Sequence, residues 1–490
     1  MNPAPVQATT GAGKTRRVVG ITHSVCGRCG RVVPAKVTVE GEGVFLERRC
    51  PDHGEDRVLV WNGVRSYLAT QRSARPAWQP LEFAGRSSAG CPDGCGFCER
   101  HEQHLCLPIV EITSRCDLGC PICLVDAGAG PDMKPTEFRG ILDRLIRAEG
   151  RINVLNISGG EPLLHPHLTE LIDEALARPE IIRVSISTNG LALLRDPHLV
   201  AELRARDVVL SLQFDGFDDA IYEELRGRPL LAEKLRVLDL LSEARIATSL
   251  TMTVAGGLND DQYRGVLDLL FSREHIVSLM LQPLVFAGRA VRLAGRVPRL
   301  TLPDVVHGLG QAGHPAVDPD DFVPLPCSHP LCFWLAFYLM LEDGRSASLT
   351  RVIGRERMEE YTANQVFFGL TSDEHERTKR MIYELWSGPT ANTPESQAVL
   401  SALRAILREI SDPSRPAAGT AFEPRRAFAA GERFLKSIFI HAFQDAGSFD
   451  LSRVRRCCNA YPQVDGRLIP CCRRNVLGVP EGGAKVTGDG

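Results

Sequence analysis

The sequence has little net charge, no apolar leader and no long apolar run. Lys and Arg total 57 against 60 Asp and Glu, a formal net charge of −3. That balance gives no sign of a nucleic-acid partner. The first residues, MNPAPVQATTGAGKTRR, lack the hydrophobic stretch of an export signal. The longest apolar run, LCFWLAFYLML at 331–341, is too short to span a bilayer. A soluble, cytoplasmic chain is expected, with a peripheral membrane contact left open. The phosphate-loop pattern is missing too. GAGKT at 11–15 has its ending, but the opening glycine would fall at position 8, which is Ala8. Finally, cysteine is absent from all of 124–326.

That gap matters because the chain holds 16 cysteines in 490 residues, and they are grouped. Thiols in a cytosolic chain stay reduced, so disulfides are not expected. Clustered thiols with intervening Gly and Pro converge on metals instead. Cys26, Cys29 and Cys50 come first, followed closely by His53 in CPDHG. C-x2-C and C-x2-H are knuckle spacings, and a Cys3His set suits zinc about as well as iron. Cys106 is an alternative fourth ligand here, with His101 or His104 taking its place elsewhere.

The pattern divides the chain into a disordered leader (1–18), a metal-knuckle module built around a short hairpin (19–60) and a Cys-rich segment (61–107). An α/β core at 108–290, a mostly helical region at 291–475 and a disordered tail at 476–490 follow. Strand patterns in the core fall at 108–113, 152–158, 182–188, 208–214, 247–254 and 277–285, with helical patterns between most of them. Such alternation predicts a parallel sheet with right-handed crossovers, here a partial (β/α)6 barrel. Reactive groups then belong at the carboxyl ends of the strands. The motifs fall there. The first strand runs into Cys116, Cys120 and Cys123, spaced C-x3-C-x2-C, and the second into Gly159-Gly160-Glu161-Pro162. Asn189-Gly190 follows the third and Asp215-Gly216 the fourth. Glycines there permit close backbone approach to a ligand, and Glu161 suits an ammonium group.

A three-thiol loop after the first strand with GGEP after the second resembles the radical S-adenosylmethionine (SAM) superfamily. The resemblance implies a [4Fe-4S] cluster held by Cys116, Cys120 and Cys123. Its fourth iron is left open for SAM, which is cleaved reductively to a 5′-deoxyadenosyl radical that abstracts hydrogen from substrate. It further implies that Gly159, Gly160, Glu161 and Pro162 bind the methionine amine, with Ser187, Asn189 and Gln213 as ribose or carboxylate contacts. Met133 and Phe138 are candidates for adenine packing, although core packing suits them better.

The remaining cysteines resemble the layout of two groups within that superfamily, the archaeal tetraether lipid synthases and the dihydropterin radical methyltransferases. By that resemblance Cys91, Cys95, Cys98 and Cys106 hold one auxiliary cluster. Cys327, Cys332, Cys458 and Cys472 hold another, leaving Cys457 and Cys471 spare. Cys26, Cys29, Cys50 and His53 hold one mononuclear iron or zinc. The main functional expectation is hydrogen abstraction leading to C–C bond formation between lipid chains. The alternative is methyl transfer to a pterin or another small heteroaromatic molecule, and the remotest is a non-catalytic scaffold. A small-molecule or lipid substrate and an electron donor such as flavodoxin or ferredoxin are the implied partners. LCFWLAFYLML reads as a buried core helix or a channel wall, DPSRPAAG at 412–419 as a loop. By resemblance the segment from 421 to the last cysteines packs across the barrel mouth.

Overall fold

The computed structural model describes residues 16–83, 91–125, 127–128, 130–366, 372–387, 394–411 and 424–478. GAGKT, nearly all of the expected leader, the loop at 412–419 and the tail from 479 lie outside them.

Four antiparallel strands form the N-terminal module: β1 (Arg17–Val25), β2 (Val32–Glu40), β3 (Gly43–Cys50) and β4 (Gly54–Asn62), in that order. The expected hairpin is its inner pair, and β1 already begins inside the stretch expected to be leader. In a meander of four strands the first and third turns lie at the same end. Those turns carry Cys26 and Cys29, and Cys50 and His53. The alternation of Val37, Val39, Val44 and Leu46 buries one face of this sheet.

The core strands β5 (Leu107–Thr113), β6 (Ile152–Gly159), β7 (Ile181–Thr188), β8 (Val209–Gln213), β9 (Thr248–Val254) and β10 (Ile276–Pro283) are parallel neighbours in sequence order. Their outer face is apolar. Val110, Ile112, Leu155, Ile157, Ile186, Leu210, Leu250 and Leu279 pack in one cluster with helix residues such as Leu142, Leu171, Val237 and Val266. Each such side chain contributes about 1.5–3 kcal/mol by leaving water. Phe138 is fully buried in this cluster and Met133 packs against it, so both serve the core.

The region after 290 is mostly helical, as expected, but it also carries strands that the sequence did not announce. It supplies β11 (Val323–Pro324), β12 (Phe333–Met340), β13 (Ser346–Ser348), β14 (Leu435–His441), β15 (Asn459–Pro462) and β16 (Leu468–Pro470). Parallel pairing adds β14 to the β10 edge and β15 to the β5 edge. The six-stranded barrel is thereby extended on both sides. LCFWLAFYLML is not a helix: its centre is β12, buried along its length apart from Met340 at the end. Eight aromatic and aliphatic residues between Cys332 and the Gly344 turn are too few for a stable buried helix and suit a central strand.

The helix Pro424–Phe434 also sits elsewhere than expected. It closes the amino end of the barrel, not the mouth. Arg425 donates to the carbonyls of Leu176, Arg178 and Ile181, each at 2.9 Å. Arg183 of β7 pairs with Glu432 at 2.6 Å and with Asp207 at 2.8 Å. Phe428 packs with Val154 and Ile182 at the same end.

Candidate active site and metal centres

At the carboxyl end, the loop after β5 carries Cys116, Cys120 and Cys123, all partly buried. Burial pushes the Cys116 thiol up to about 11. The GGEP turn lies directly against the start of this loop. Gly160 N–H donates to Thr113 O at 2.8 Å and Glu161 N–H to Arg115 O at 2.6 Å. A β-carbon on Gly159 would lie 2.2 Å from Thr113 O, and one on Gly160 2.2 Å from Arg115 O. Gly159 also has φ +133°, a conformation that L side chains rarely adopt. Two glycines are therefore what lets β6 hand over to the turn at this distance from the thiol loop.

Glu161 is 1% exposed, and burial pushes its carboxyl up to about 7. Its oxygens accept from Thr188 Oγ1 at 2.6 Å, Asn189 N at 2.7 Å and Leu163 N at 3.1 Å. The carboxylate expected to meet an ammonium group therefore ties β6 to the end of β7. Asn189 extends this tie. Its Nδ2 donates to Asp117 Oδ1 in the thiol loop at 2.8 Å, and its carbonyl accepts from Lys234 Nζ at 2.6 Å. Lys234 also donates to Gln213 Oε1 at 2.7 Å. Gln213 Nε2 donates to Asp215, which accepts from Arg226 at 2.7 and 2.9 Å. The Cys120 thiol in turn faces Arg226. Glu161, Asn189 and Gln213 thus belong to one hydrogen-bonded circuit around the strand ends. Ser187 stands apart from it, paired with Asn156 at 3.0 Å.

The inner face of the core strands is polar from β5 to β9, and Met280 of β10, Phe439 of β14 and Leu335 of β12 continue the row as apolar residues. Register places Glu111 beside Ser158, Asn156 beside Ser185, Ser187 beside Ser211 and Gln213 beside Thr251. Gln282 stands beside Thr253. Every one of these polar side chains is half-buried, while the residues between them are mostly buried. Hydroxyls pair across strands, Ser211 with Thr251 at 2.9 Å and Ser278 with Ser249 at 2.7 Å. Arg474 closes one side, donating to Glu111 at 3.0 Å with its guanidinium 4.5 Å from the Tyr461 ring centre.

In the N-terminal sheet, ligand atoms of Cys26, Cys29, Cys50 and His53 all lie within 4.8 Å of one another. Cys29 Sγ is 3.9 Å from Cys50 Sγ, and His53 Nδ1 is 3.5 Å from both Cys26 Sγ and Cys50 Sγ. A tetrahedral ion with metal–sulfur bonds near 2.3 Å and metal–nitrogen bonds near 2.0–2.1 Å separates its ligands by about 3.8 Å (S–S) and 3.6 Å (S–N). The spacing is that of one ion. Burial opposes the charged form of Cys26, but backbone N–H groups of Cys29 and Arg28 bring its thiol down to about 6.

The other thiols divide differently from the sequence expectation. Cys91, Cys95 and Cys98 face one another, with Cys95 also facing Arg473. This segment repeats the C-x3-C-x2-C spacing of the later loop. Cys106 does not join it. The Cys106 thiol faces Cys327 and Cys458, and its N–H donates to Cys458 O at 2.8 Å. The chain turns into β5 directly after Cys106, and pairing with β15 draws it to Cys458. Cys106, Cys327, Cys332 and Cys458 all pack in one apolar cluster. Cys472 lies beyond, facing Cys332 and the buried Arg453, whose Nε donates to Cys332 Sγ at 3.2 Å. Half-buried Cys457 faces Cys471, Cys472 and Cys458.

Comparison with known families decides the identity of the core. Residues 110–270 match the radical SAM superfamily model. The chain is a radical SAM enzyme. Residues 18–62 match the HMPTM N-terminal zinc ribbon domain, which agrees with the single-ion spacing there. The 7,8-dihydro-6-hydroxymethylpterin dimethyltransferase of Methanocaldococcus jannaschii is 26% identical over 93% of this chain and 93% of its own length. Two further relatives align over about a third of this chain, and the chain spans about half of each. The GTP 3′,8-cyclase of Chlorobaculum tepidum is 30% identical over 36% of this chain and 52% of its own. The mycofactocin maturase MftC of Mycobacterium ulcerans is 31% identical over 33% and 45%. Streptococcus suis SuiB, solved with its precursor peptide SuiA, has a TM-score of 0.37 and 15% identity, covering 43% of this chain and 46% of SuiB.

The residues at the barrel mouth fit the cofactors of a radical SAM enzyme. Three thiols on one loop leave a fourth iron position free, and Leu118 N–H approaches Cys116 Sγ at 3.4 Å, as cluster ligands favour. Three groups of the circuit escaped sequence reasoning: Asp117, Arg226 and Lys234. One signal was available for Lys234. It stands four and seven residues before Leu238 and Leu241, which puts a cation on the buried face of its helix.

Proposed function

We propose that this radical SAM enzyme methylates a small, polar heteroaromatic molecule of the pterin class. The observation that carries this choice is the inner face of the barrel, lined by hydroxyls, amides and the Glu111–Arg474 pair. Such groups read ring nitrogens and carbonyls. A lipid chain needs apolar walls, which this face offers only beyond β9, at Met280, Phe439 and Leu335, so C–C coupling of lipids is the weaker reading. Similarity to a pterin dimethyltransferase along both whole chains points the same way.

When bound, the cluster and SAM supply a 5′-deoxyadenosyl radical. Cys116, Cys120 and Cys123 hold the cluster, and the Glu161–Asn189 tie sets the GGEP turn against their loop. The helix Pro424–Phe434 shuts the amino end, so substrate enters over the strand ends. The thiol groups around Cys95 and Cys458 hold auxiliary clusters, and a flavodoxin or ferredoxin supplies electrons.

Anaerobic incubation of the reconstituted enzyme with SAM, dithionite, a methylene-folate donor and 7,8-dihydro-6-hydroxymethylpterin tests the reading. A product heavier by one or two methyl groups, formed together with 5′-deoxyadenosine, is expected. Turnover of isoprenoid lipid with no change in the pterin would overturn it.

A further inference from the structure

Lys234 is fully buried at the start of the helix Leu231–Glu243. An ammonium in that position carries a desolvation cost that an aliphatic residue would not. No carboxylate contacts it directly. Its two partners are neutral acceptors on different strand ends, Asn189 O beyond β7 at 2.6 Å and Gln213 Oε1 at the end of β8 at 2.7 Å. Through Asn189 it reaches Glu161 and Asp117, and through Gln213 it reaches Asp215 and Arg226. With two direct hydrogen bonds it joins the GGEP half of the mouth to the Arg226 half. Apolar packing cannot replace it, because removing the ammonium leaves the Asn189 carbonyl and the Gln213 amide without their shared donor. Burial and the neighbouring Arg226 lower its pKa to about 7.

We infer that Lys234 is a positioning residue for SAM. It holds the carboxyl ends of β7 and β8 at the separation the cofactor needs. The inference rests on the radical SAM assignment. No step of the reaction passes through Lys234 itself.

The test uses the reconstituted holoenzyme and the variants Lys234→Met, Lys234→Gln and Lys234→Arg. SAM affinity is read by calorimetry and by the change that SAM causes in the electron paramagnetic resonance spectrum of the reduced cluster. Iron content and melting temperature are measured alongside. We expect Lys234→Met to weaken SAM binding roughly tenfold or more, the loss of about one charge-assisted hydrogen bond, with iron content unchanged. Lys234→Gln, which keeps a donor and drops the charge, should fall between Met and wild type, and Lys234→Arg nearest to wild type. Wild-type affinity in Lys234→Met with its clusters intact would overturn the inference. So would loss of cluster iron in both Met and Gln variants, because Lys234 would then support the thiol loop and not the strand ends. Failure of the wild-type holoenzyme itself to bind SAM would instead overturn the cofactor assignment.

Discussion

Both ends of the barrel bury charge, but they do so differently. At the amino end Arg183 is met by two carboxylates, Glu432 and Asp207, and roofed by the helix Pro424–Phe434. Each charge there has a direct ion-pair partner, although burial still pushes the Glu432 carboxyl up to about 7. At the carboxyl end Glu161 and Lys234 are buried without a direct counter-charge, joined through the neutral backbone and amide of Asn189 and Gln213. Each is displaced in the direction burial dictates, Glu161 up and Lys234 down. A closed set of pairs makes a plug. A circuit of groups held short of full pairing, beside three thiols, makes a site ready for a charged ligand.

The sharpest way to separate the ends is to remove the thiols. Replacing Cys116, Cys120 or Cys123 by Ala should abolish 5′-deoxyadenosine formation, a loss of at least about a thousandfold because the electron donor to SAM is gone. Metal analysis should show the N-terminal ion still present. Breaking the plug should strike stability instead. Arg183→Met leaves Glu432 buried without its ion pair and should cost about 3–5 kcal/mol by denaturant unfolding. Arg183→Met combined with Glu432→Leu should recover most of that. If the double variant is as unstable as the single, the plug is not an isolated pair.

The zinc ribbon is a third case, closed by its own four ligands. Cys50→Ala should release that ion and lower the melting temperature by several degrees, as loss of about 1–2 kcal/mol does in a domain of moderate size. SAM cleavage should stay within about threefold of wild type, because the ribbon supplies no group to the barrel mouth.

The smallest effect concerns pH. Glu161 has its folded pKa raised above the ordinary carboxylate value to about 7. The folded state therefore holds a proton that the unfolded chain has already lost. Its contribution to stability is full below the unfolded value and is lost as pH rises through about 7. Glu161→Gln should flatten the fall in unfolding free energy across that window. An unchanged slope would mean that Glu161 stays ionised.

Much of this was legible from residues 108–290 alone. All six strands lie within two residues of their expected positions at either end. Alternation and turn residues are local signals, and parallel strands with crossover helices express them directly. The ribbon ligands were legible for the same reason, since C-x2-C and C-x2-H each sit in a single turn. Cys106 was misread because its neighbours in sequence are not its neighbours in space. Pairing of β15 with β5 brings Cys458 to it across about 350 residues of chain. β12 was misread because an unbroken apolar run carries no period, so length and context had to decide between helix and strand.

Residue order by itself determined the fold class of the core, the three-thiol loop, the GGEP turn and the two knuckle spacings of the ribbon. In each case the interacting groups lie within one turn or on consecutive strand ends. Only the tertiary structure decided which distant thiols meet, which end of the barrel is shut, and that Lys234 ties β7 to β8. Those outcomes depend on strands from the last 60 residues adding to both edges of a sheet begun near residue 107. No local pattern encodes which edge a late strand will find free.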